Sequence, residues 1–228
     1  MSEKVRSMFD AISGRYDLLN HSLSAGRDTV WRRKAVNLFQ VSKSNALVLD
    51  LCGGTGDFSL AWNRKHANDT CIVGDFSQSM LQMGARKGMS HLSVMDALSL
   101  PFKDGMFDVV LCGFGMRNLD DLEAGIRAVH SVLKPGGTFL TLEFFRPETG
   151  FTIFFYRGLA PLFIPILGAA LGSKKSAYEY LVKSVQGFCG VDKYADLCRS
   201  AGFGDVQTRA YDFGIAHAVV AMKPVGKA

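Results

Sequence analysis

Cysteine is scarce in this chain and carries no pattern. The five that occur (Cys52, Cys71, Cys112, Cys189 and Cys198) are scattered, odd in number and free of any C-x-x-C pair. That excludes a disulfide framework and a zinc ribbon, and it is the usage of a reduced compartment. No spacing of histidine, cysteine and carboxylate suits a metal ion, so none is expected. The opening residues, MSEKVRSMFD, carry charges where a secretory signal needs an apolar run. The chain is therefore expected in the cytoplasm. Basic residues interleaved with aromatics, the footprint of a nucleic-acid reader, are missing, so no nucleic-acid partner is expected. Internal repeats and low-complexity linkers are missing too. What remains is a globular composition, 48% apolar and 21% charged over 228 residues. That is enough for one domain with a substantial core.

Long hydrophobic runs are also lacking, with one exception. Residues 151–172, FTIFFYRGLAPLFIPILGAALG, hold 15 apolar residues out of 22 and a single charge, Arg157. As a helix the run would be about 33 Å long, enough to cross a bilayer. Pro161 and Pro165 interrupt it, however. Strands expected on either side of it also belong to one sheet, which a span would divide. Net charge is modest at +5, with basic residues gathered in WRRK (31–34) and at Lys174-Lys175. These form a solvated face or attract anionic lipid.

From Ala46 onward, β-rich runs alternate with helical ones. ALVLDLC (46–52), TCIVGDFS (70–77), LSVMD (92–96), FDVVLCGF (107–114) and TFLTLEFF (138–145) read as strands, and continuous apolar runs mark the buried ones. DFSLAWNRKH (57–66), QSMLQMGARKG (78–88) and DDLEAGIRAVHSVLK (120–134) read as the helices between them. Asp57 sits at the first N-terminus, Ser77 caps the second, and Pro135-Gly136-Gly137 stops the third. Two more helical stretches, 176–188 and 191–201, precede a closing hairpin of DVQTRAYD and GIAHAVVAMK. The expected fold is α/β, a doubly wound, mostly parallel seven-stranded sheet of Rossmann-like type. One domain spans 1–228. It divides into an N-terminal helical extension on the substrate side (1–45), a cofactor-binding core (46–146), an apolar lid or substrate region (147–190), and a C-terminal helix with closing strands (191–228).

The sharpest local signal is VLDLCGGTGD, residues 48–57. A glycine-rich turn at the carboxyl end of the first strand lets backbone approach a ligand at the switch point of the sheet. It fails as a dinucleotide fingerprint, because Ser59 stands at the third glycine position. It also lacks the Gly-Lys-Ser/Thr of a P-loop. What is left is Asp50, Gly54 and Gly56. Asp75 ends the second strand, 19 residues beyond Gly56, and Asp96 ends the third. Each acid alone reads equally well as a helix cap or a solvated turn residue. As a set at successive strand ends they resemble the class I S-adenosylmethionine-dependent methyltransferases. That cofactor has no pyrophosphate to grip, but its ammonium and sulfonium favour carboxylate and carbonyl oxygens. The resemblance implies a cofactor site of Asp50, Gly53, Gly54, Thr55, Gly56, Asp75, Phe76, Met80, Asp96, Ala97 and Gly113. Asp75 would take the ribose hydroxyls, and Asp96-Ala97 would meet the adenine.

Two further stretches are more discriminating. YDLLNHSLSAGRDTVW (16–31) and VLKPGGTFLTLEFFRP (132–147) resemble the two signatures of the ubiquinone/menaquinone biosynthesis C-methyltransferase family. GFGMRNLDD (113–121) resembles its intervening Arg-Asn loop. The likeness spans residues 5–225 and is looser near the C-terminus. There, Phe188-Cys189 replaces an expected Phe-Pro, and Tyr211-Asp212-Phe213-Gly214 replaces a Leu-Thr-x-Gly element. This departure bears on substrate subtype. The family resemblance implies methylation of a ring carbon of a polyprenylated hydroquinone. Such chemistry needs a stabilised phenolate, an aligned ring carbon and exclusion of water. Arg117 is the candidate oxyanion stabiliser, because a guanidinium stays protonated. Asn118 lies beside it, and Tyr16 and Asn20 are candidates to orient the ring hydroxyls. The bland readings are an Arg117 pair with Asp120 or Asp121 and a Tyr16 that simply packs. His21 is the nearest conventional base, although the resemblance does not single it out, and His130 reads as structural.

Demethylmenaquinol is the favoured acceptor. The benzoquinol of ubiquinone biosynthesis, or another small molecule, is the alternative. An NAD-dependent oxidoreductase shares the α/β pattern, but Ser59 counts against it. A lipid-binding module with a vestigial cofactor site is the non-enzymatic reading. Residues 151–172 read either as an ordinary buried core helix or, with a prenylated acceptor, as a substrate lid or membrane contact. Phe151, Phe154, Phe155, Leu159, Leu162 and Phe163 would wall the ring and the start of its tail, broken by the two prolines. Transient contact with the inner face of the membrane is expected, and a homodimer burying part of this surface.

Overall fold

Seven strands form one sheet: β1 (Leu47–Leu51), β2 (Thr70–Asp75), β3 (Leu92–Val94), β4 (Phe107–Gly113), β5 (Leu133–Glu143), β6 (Asp205–Tyr211) and β7 (Ala216–Met222). In this computed structural model, which describes residues 3–41, 43–159 and 175–226, they lie in the order β3-β2-β1-β4-β5-β7-β6. The first five are parallel, and β7 runs antiparallel between β5 and β6. The doubly wound α/β sheet read from the alternating runs is present.

Strand period two sorts the core. Val110 and Cys112 of β4 join a cluster with Ile126, Val129, Tyr194 and Cys198. These come from α6 (Leu122–Val132) and α9 (Val191–Ser200). Val109 and Leu111 face the other way, toward Trp31, Ala35, Phe58 and Trp62. Those belong to α3 (Arg27–Ala35) and α4 (Asp57–Asn63). Both faces of the inner strands are covered, which is why their sequences are apolar throughout.

The helix starts follow local chemistry. Ser77 accepts from the Met80 amide at 3.1 Å and caps α5 (Gln78–Arg86), and Asp121 does the same for α6 through Ala124 at 2.9 Å. One boundary differs from expectation. The helix expected to run to residue 134 stops at Val132, because Leu133 already pairs with Phe107 and opens β5. A register shift follows before Val109 meets Thr138.

Two helices, α1 (Glu3–Ile12) and α2 (Tyr16–Leu23), precede α3 and lie toward the carboxyl ends of β1 and β2. After β5 come α7 (Gly150–Phe154), a π-helical turn (Phe155–Leu159) and α8 (Lys175–Gly187). Pro161, Leu162, Phe163 and Pro165 of the apolar run, and Lys174 just after it, lie outside the described residues, as do the side chains of Leu159 and Lys175. Among the described residues no helix is long and apolar enough to cross a membrane.

Candidate active site

The glycine turn after β1 is built around a buried acid. Asp50 is fully buried, and its Oδ2 accepts from the Ser59 amide at 2.9 Å and the Ser59 hydroxyl at 2.8 Å. It thereby ties the strand end to the first turn of α4. Its Oδ1 has no partner among the described residues. Burial, against the pull of Ser59, pushes its carboxyl up to about 6. Gly53 must be glycine: a Cβ there would sit 2.7 Å from Val73 and 2.8 Å from the Asp50 carbonyl. Gly56, at φ 81°, opens α4 in a left-handed conformation.

Asp75 ends β2 next to this turn. It accepts from the Gly54 amide at 2.9 Å and the Ser77 amide at 2.8 Å, yet burial raises it to about 6. Two narrow cavities meet at Asp75 and Cys52. One runs toward Phe76, Met95, Asp96, Ala97 and Leu119, the other toward Gly54, Met80, Gly113, Gly115 and Asn118. A Cβ on Gly115 would meet Cys52 at 2.5 Å, so backbone there approaches as closely as it can. An acid at a strand end, an apolar slot beside it and a backbone cradle fit S-adenosylmethionine. Asp75 would hold the ribose hydroxyls, Phe76, Asp96 and Ala97 the adenine, and the Gly54 turn the amino-acid end. Asp50, Gly53, Thr55 and Gly56 line neither cavity; they shape the turn from behind. The Thr55 hydroxyl donates to Asp17 at 2.6 Å and receives Lys87 at 2.8 Å.

A third cavity adjoins the second through Phe9 and Tyr16. Its walls are Met8, Phe9, Ile12, Leu19, Leu23 and Leu181; its polar atoms come from Tyr16, Asn20, Arg117 and Tyr180. Tyr16 is half-buried and hydrogen-bonded to Asn20. Burial raises its hydroxyl above the usual phenol value, against the pull of that hydrogen bond and of Arg117. The ion-pair partner of Arg117 is Glu143, across the sheet, rather than the neighbouring Asp120 or Asp121. Its Nη1 meets Glu143 at 2.7 Å and also donates to the Phe114 carbonyl, while its Nε reaches Ser184 at 3.3 Å. Burial would lower the guanidinium pKa, but Glu143 outweighs it and the net direction is upward. Burial in turn raises Glu143 against the pull of Arg117. Asn118 is braced: it accepts from the Tyr180 hydroxyl at 2.8 Å and donates to the Phe114 carbonyl at 3.2 Å.

The arrangement thus gathers Tyr16, Asn20 and Arg117 in one pocket, with Asn118 in the adjoining wall. Phe151 and Phe154 do not line it; they are exposed, at 49% and 61%. Helix α7 packs its Thr152 inward instead, through a capping box with Thr149. Phe155 packs beside Tyr156 and Val185, behind the pocket. His21 is turned away toward Asp28, at 2.9 Å, and lies 4.0 Å from Asp57. These three could crowd a cation, but Arg32 pairs with Asp28 and Lys87 holds Asp57 at 2.6 Å, so the charge is already met. Glu143 and Tyr180 were missed from sequence. The acid ending an otherwise apolar strand was a visible signal for the first; nothing local marked the second.

A model of the ubiE/COQ5 methyltransferase family matches residues 1–223. The demethylmenaquinone methyltransferase of Thermus thermophilus is 38% identical over 222 residues, covering 95% of this chain and 100% of the relative. That of Staphylococcus saprophyticus is 35% identical over 219 residues, with 94% of each covered. In fold, the chain resembles a SAM-dependent methyltransferase of Thermotoga maritima, described as a possible histamine N-methyltransferase. That likeness has a TM-score of 0.69 at 20% identity, with 95% of this chain and 99% of that one covered. It also resembles the [4+2]-cyclase SpnF, with a TM-score of 0.71 at 18% identity and coverages of 99% and 97%. The sheet alone therefore does not specify a reaction. Matched along nearly its whole length, and with the cofactor cradle in place, the chain belongs to the ubiE/COQ5 methyltransferase family and is an S-adenosylmethionine-dependent methyltransferase.

Proposed function

We propose that this enzyme methylates a ring carbon of demethylmenaquinol. The supporting observation is the apolar cavity that meets the cofactor cavities at Tyr16 and carries its polar atoms on Tyr16, Asn20, Arg117 and Tyr180. A hydroquinone is a flat apolar ring with hydroxyls at two edges, and its prenyl tail needs apolar walls. Met8, Ile12, Leu19, Leu23 and Leu181 supply them.

S-adenosylmethionine supplies an electrophilic methyl group when bound. The protein must make the ring carbon electron-rich, and a phenolate does that. Arg117 is a fixed positive charge at the pocket, positioned by Glu143, Phe114 and Ser184, and it favours the ionised hydroxyl. Tyr16 stays protonated at neutral pH because burial raises it, so it donates and does not act as a base. Asn20 fixes the Tyr16 hydroxyl, and Tyr180 also lines the cavity. The methylated ring carbon must then shed its own proton to restore the aromatic ring; among the described residues no carboxylate or histidine lines this cavity to take that proton or the hydroxyl's, so both pass to water. Phe9 and the neighbouring apolar residues of α1 and α2 form one wall of the pocket.

The acceptor must therefore be reduced. Labelled methyl transfer should proceed with the hydroquinone under anaerobic reduction and cease when the same ring is held as the quinone. Equal label in both forms would rule out a phenolate-driven reaction.

A further inference from the structure

The turn between β6 and β7 has a shape that packing does not explain. Asp212, Phe213 and Gly214 take φ of 47°, 60° and 90° in succession. Left-handed backbone disfavours residues with a Cβ, and an aromatic there is unusual. The turn is held in place by Asp212, which accepts from Arg27 Nε at 2.6 Å and Trp31 Nε1 at 2.7 Å. What this fixture presents is Phe213, 83% exposed, with its ring 5.3 Å from that of Phe151. Phe154 follows Phe151 by three residues on the same face of α7 and is 61% exposed. Strain held in place to display an apolar ring points to something outside the fold.

The surroundings indicate what that is. Arg27 is 44% exposed beside the turn, Lys34 acts electrostatically on Asp212, and Arg209 acts on Tyr211. Asp212 and Arg27 cancel one another, so the cations left to meet an anion are Lys34 and Arg209. Apolar rings flanked by cations match the layered chemistry of an anionic bilayer surface, with acyl chains beneath phosphates. A second copy of the chain fits less well, because a two-fold contact would set these cations against themselves. The patch is also joined to the acceptor pocket. From α7 the chain passes into a packed cluster of Phe155, Tyr156, Val185 and Ile215 with Leu181, and Leu181 lines the pocket.

We propose that Phe213, Phe151 and Phe154 form an aromatic tip that seats the enzyme on an anionic membrane surface. The choice of a bilayer rests in part on the polyprenylated acceptor proposed above. Co-sedimentation with phosphatidylglycerol/phosphatidylcholine vesicles, with no acceptor present, tests it separately. Glycine suits the local φ, so Phe213→Gly should keep or raise Tm. It should weaken vesicle partitioning at least tenfold, about the effect of withdrawing one aromatic side chain from an apolar medium. Methyl transfer to a tail-less acceptor should be unchanged. Wild-type protein that stays in the supernatant, or Phe213→Gly that sediments equally well, overturns the proposal. So does a dimer that depends on Phe213 in the absence of vesicle binding, which would assign the patch to a second copy.

Discussion

Asp75 accepts two backbone amides, yet burial still raises its carboxyl to about 6. Two ribose hydroxyls need the ionised form, so cofactor affinity should fall as pH drops through about 6. Stability moves the opposite way. A carboxyl raised in the folded state contributes stability that is fully present below its unfolded value and lost as pH rises through 6. Calorimetric titration over about pH 5 to 8 should show this slope in the wild type. In Asp75→Asn the slope should flatten, with binding weaker at every pH. A wild type without the slope contradicts the assignment. Arg117 gives a second test at this scale. Arg117→Ala should abolish turnover, but it also strands a buried Glu143 carboxylate, a cost of about 3–5 kcal/mol. Adding Glu143→Gln should recover most of the thermal stability and none of the turnover; recovery of both would make Arg117 purely structural. The candidate role of Arg117 was legible in sequence because GFGMRNLDD resembles the family's Arg-Asn loop and a guanidinium stays charged. Its partner was not: Asp120 and Asp121 are near in the chain, whereas Glu143 is brought over by the β4–β5 register, which pairs Gly113 with Leu142.

The N-terminal helices close over the cofactor turn through few contacts. Asp17 of α2 takes Lys87 at 2.6 Å and Thr55 at 2.6 Å, and Asp10 of α1 takes the Ser77 hydroxyl at 2.5 Å. Lys87→Ala releases Asp17 and Asp57 together. Amide exchange over residues 3–23 should accelerate, with several-fold faster cofactor release in stopped flow; unchanged exchange would show that apolar packing alone holds the roof. At α8, Tyr180→Phe should raise KM for the acceptor several-fold, since Tyr180 lines the acceptor cavity, and weaken cofactor binding less, since it reaches the cofactor cavity only through Asn118. A fall in cofactor affinity of equal size would place it differently. The start of α5 was readable because Ser77 caps it through a local contact. Residues 133–137 were not, since pairing with β4 overrides the helical run. Tyr180 was hidden for a related reason: the face of α8 that meets the pocket is decided by tertiary packing.

For the whole molecule, the alternation of apolar and amphipathic runs specifies the doubly wound sheet, and three acids at successive strand ends mark its cofactor side. The one long apolar run did not yield its meaning so readily. Phe151 and Phe154, expected to wall the acceptor, face solvent, while the apolar walls come from α1, α2 and α8, whose sequences have no unusual hydrophobicity. An amphipathic helix reveals that one face is buried, not whether protein or ligand buries it. Fold likeness to a cyclase and to a histamine-type enzyme leaves the acceptor to be decided at the pocket. The most direct measurement is transfer of labelled methyl from S-adenosylmethionine to short-chain demethylmenaquinol and to a demethoxy-type benzoquinol, side by side and under reduction. Label on the ring carbon of the naphthoquinol, and loss of that label in Arg117→Ala/Glu143→Gln, is the predicted result. Absence of label from both products, with cofactor bound normally, would contradict it.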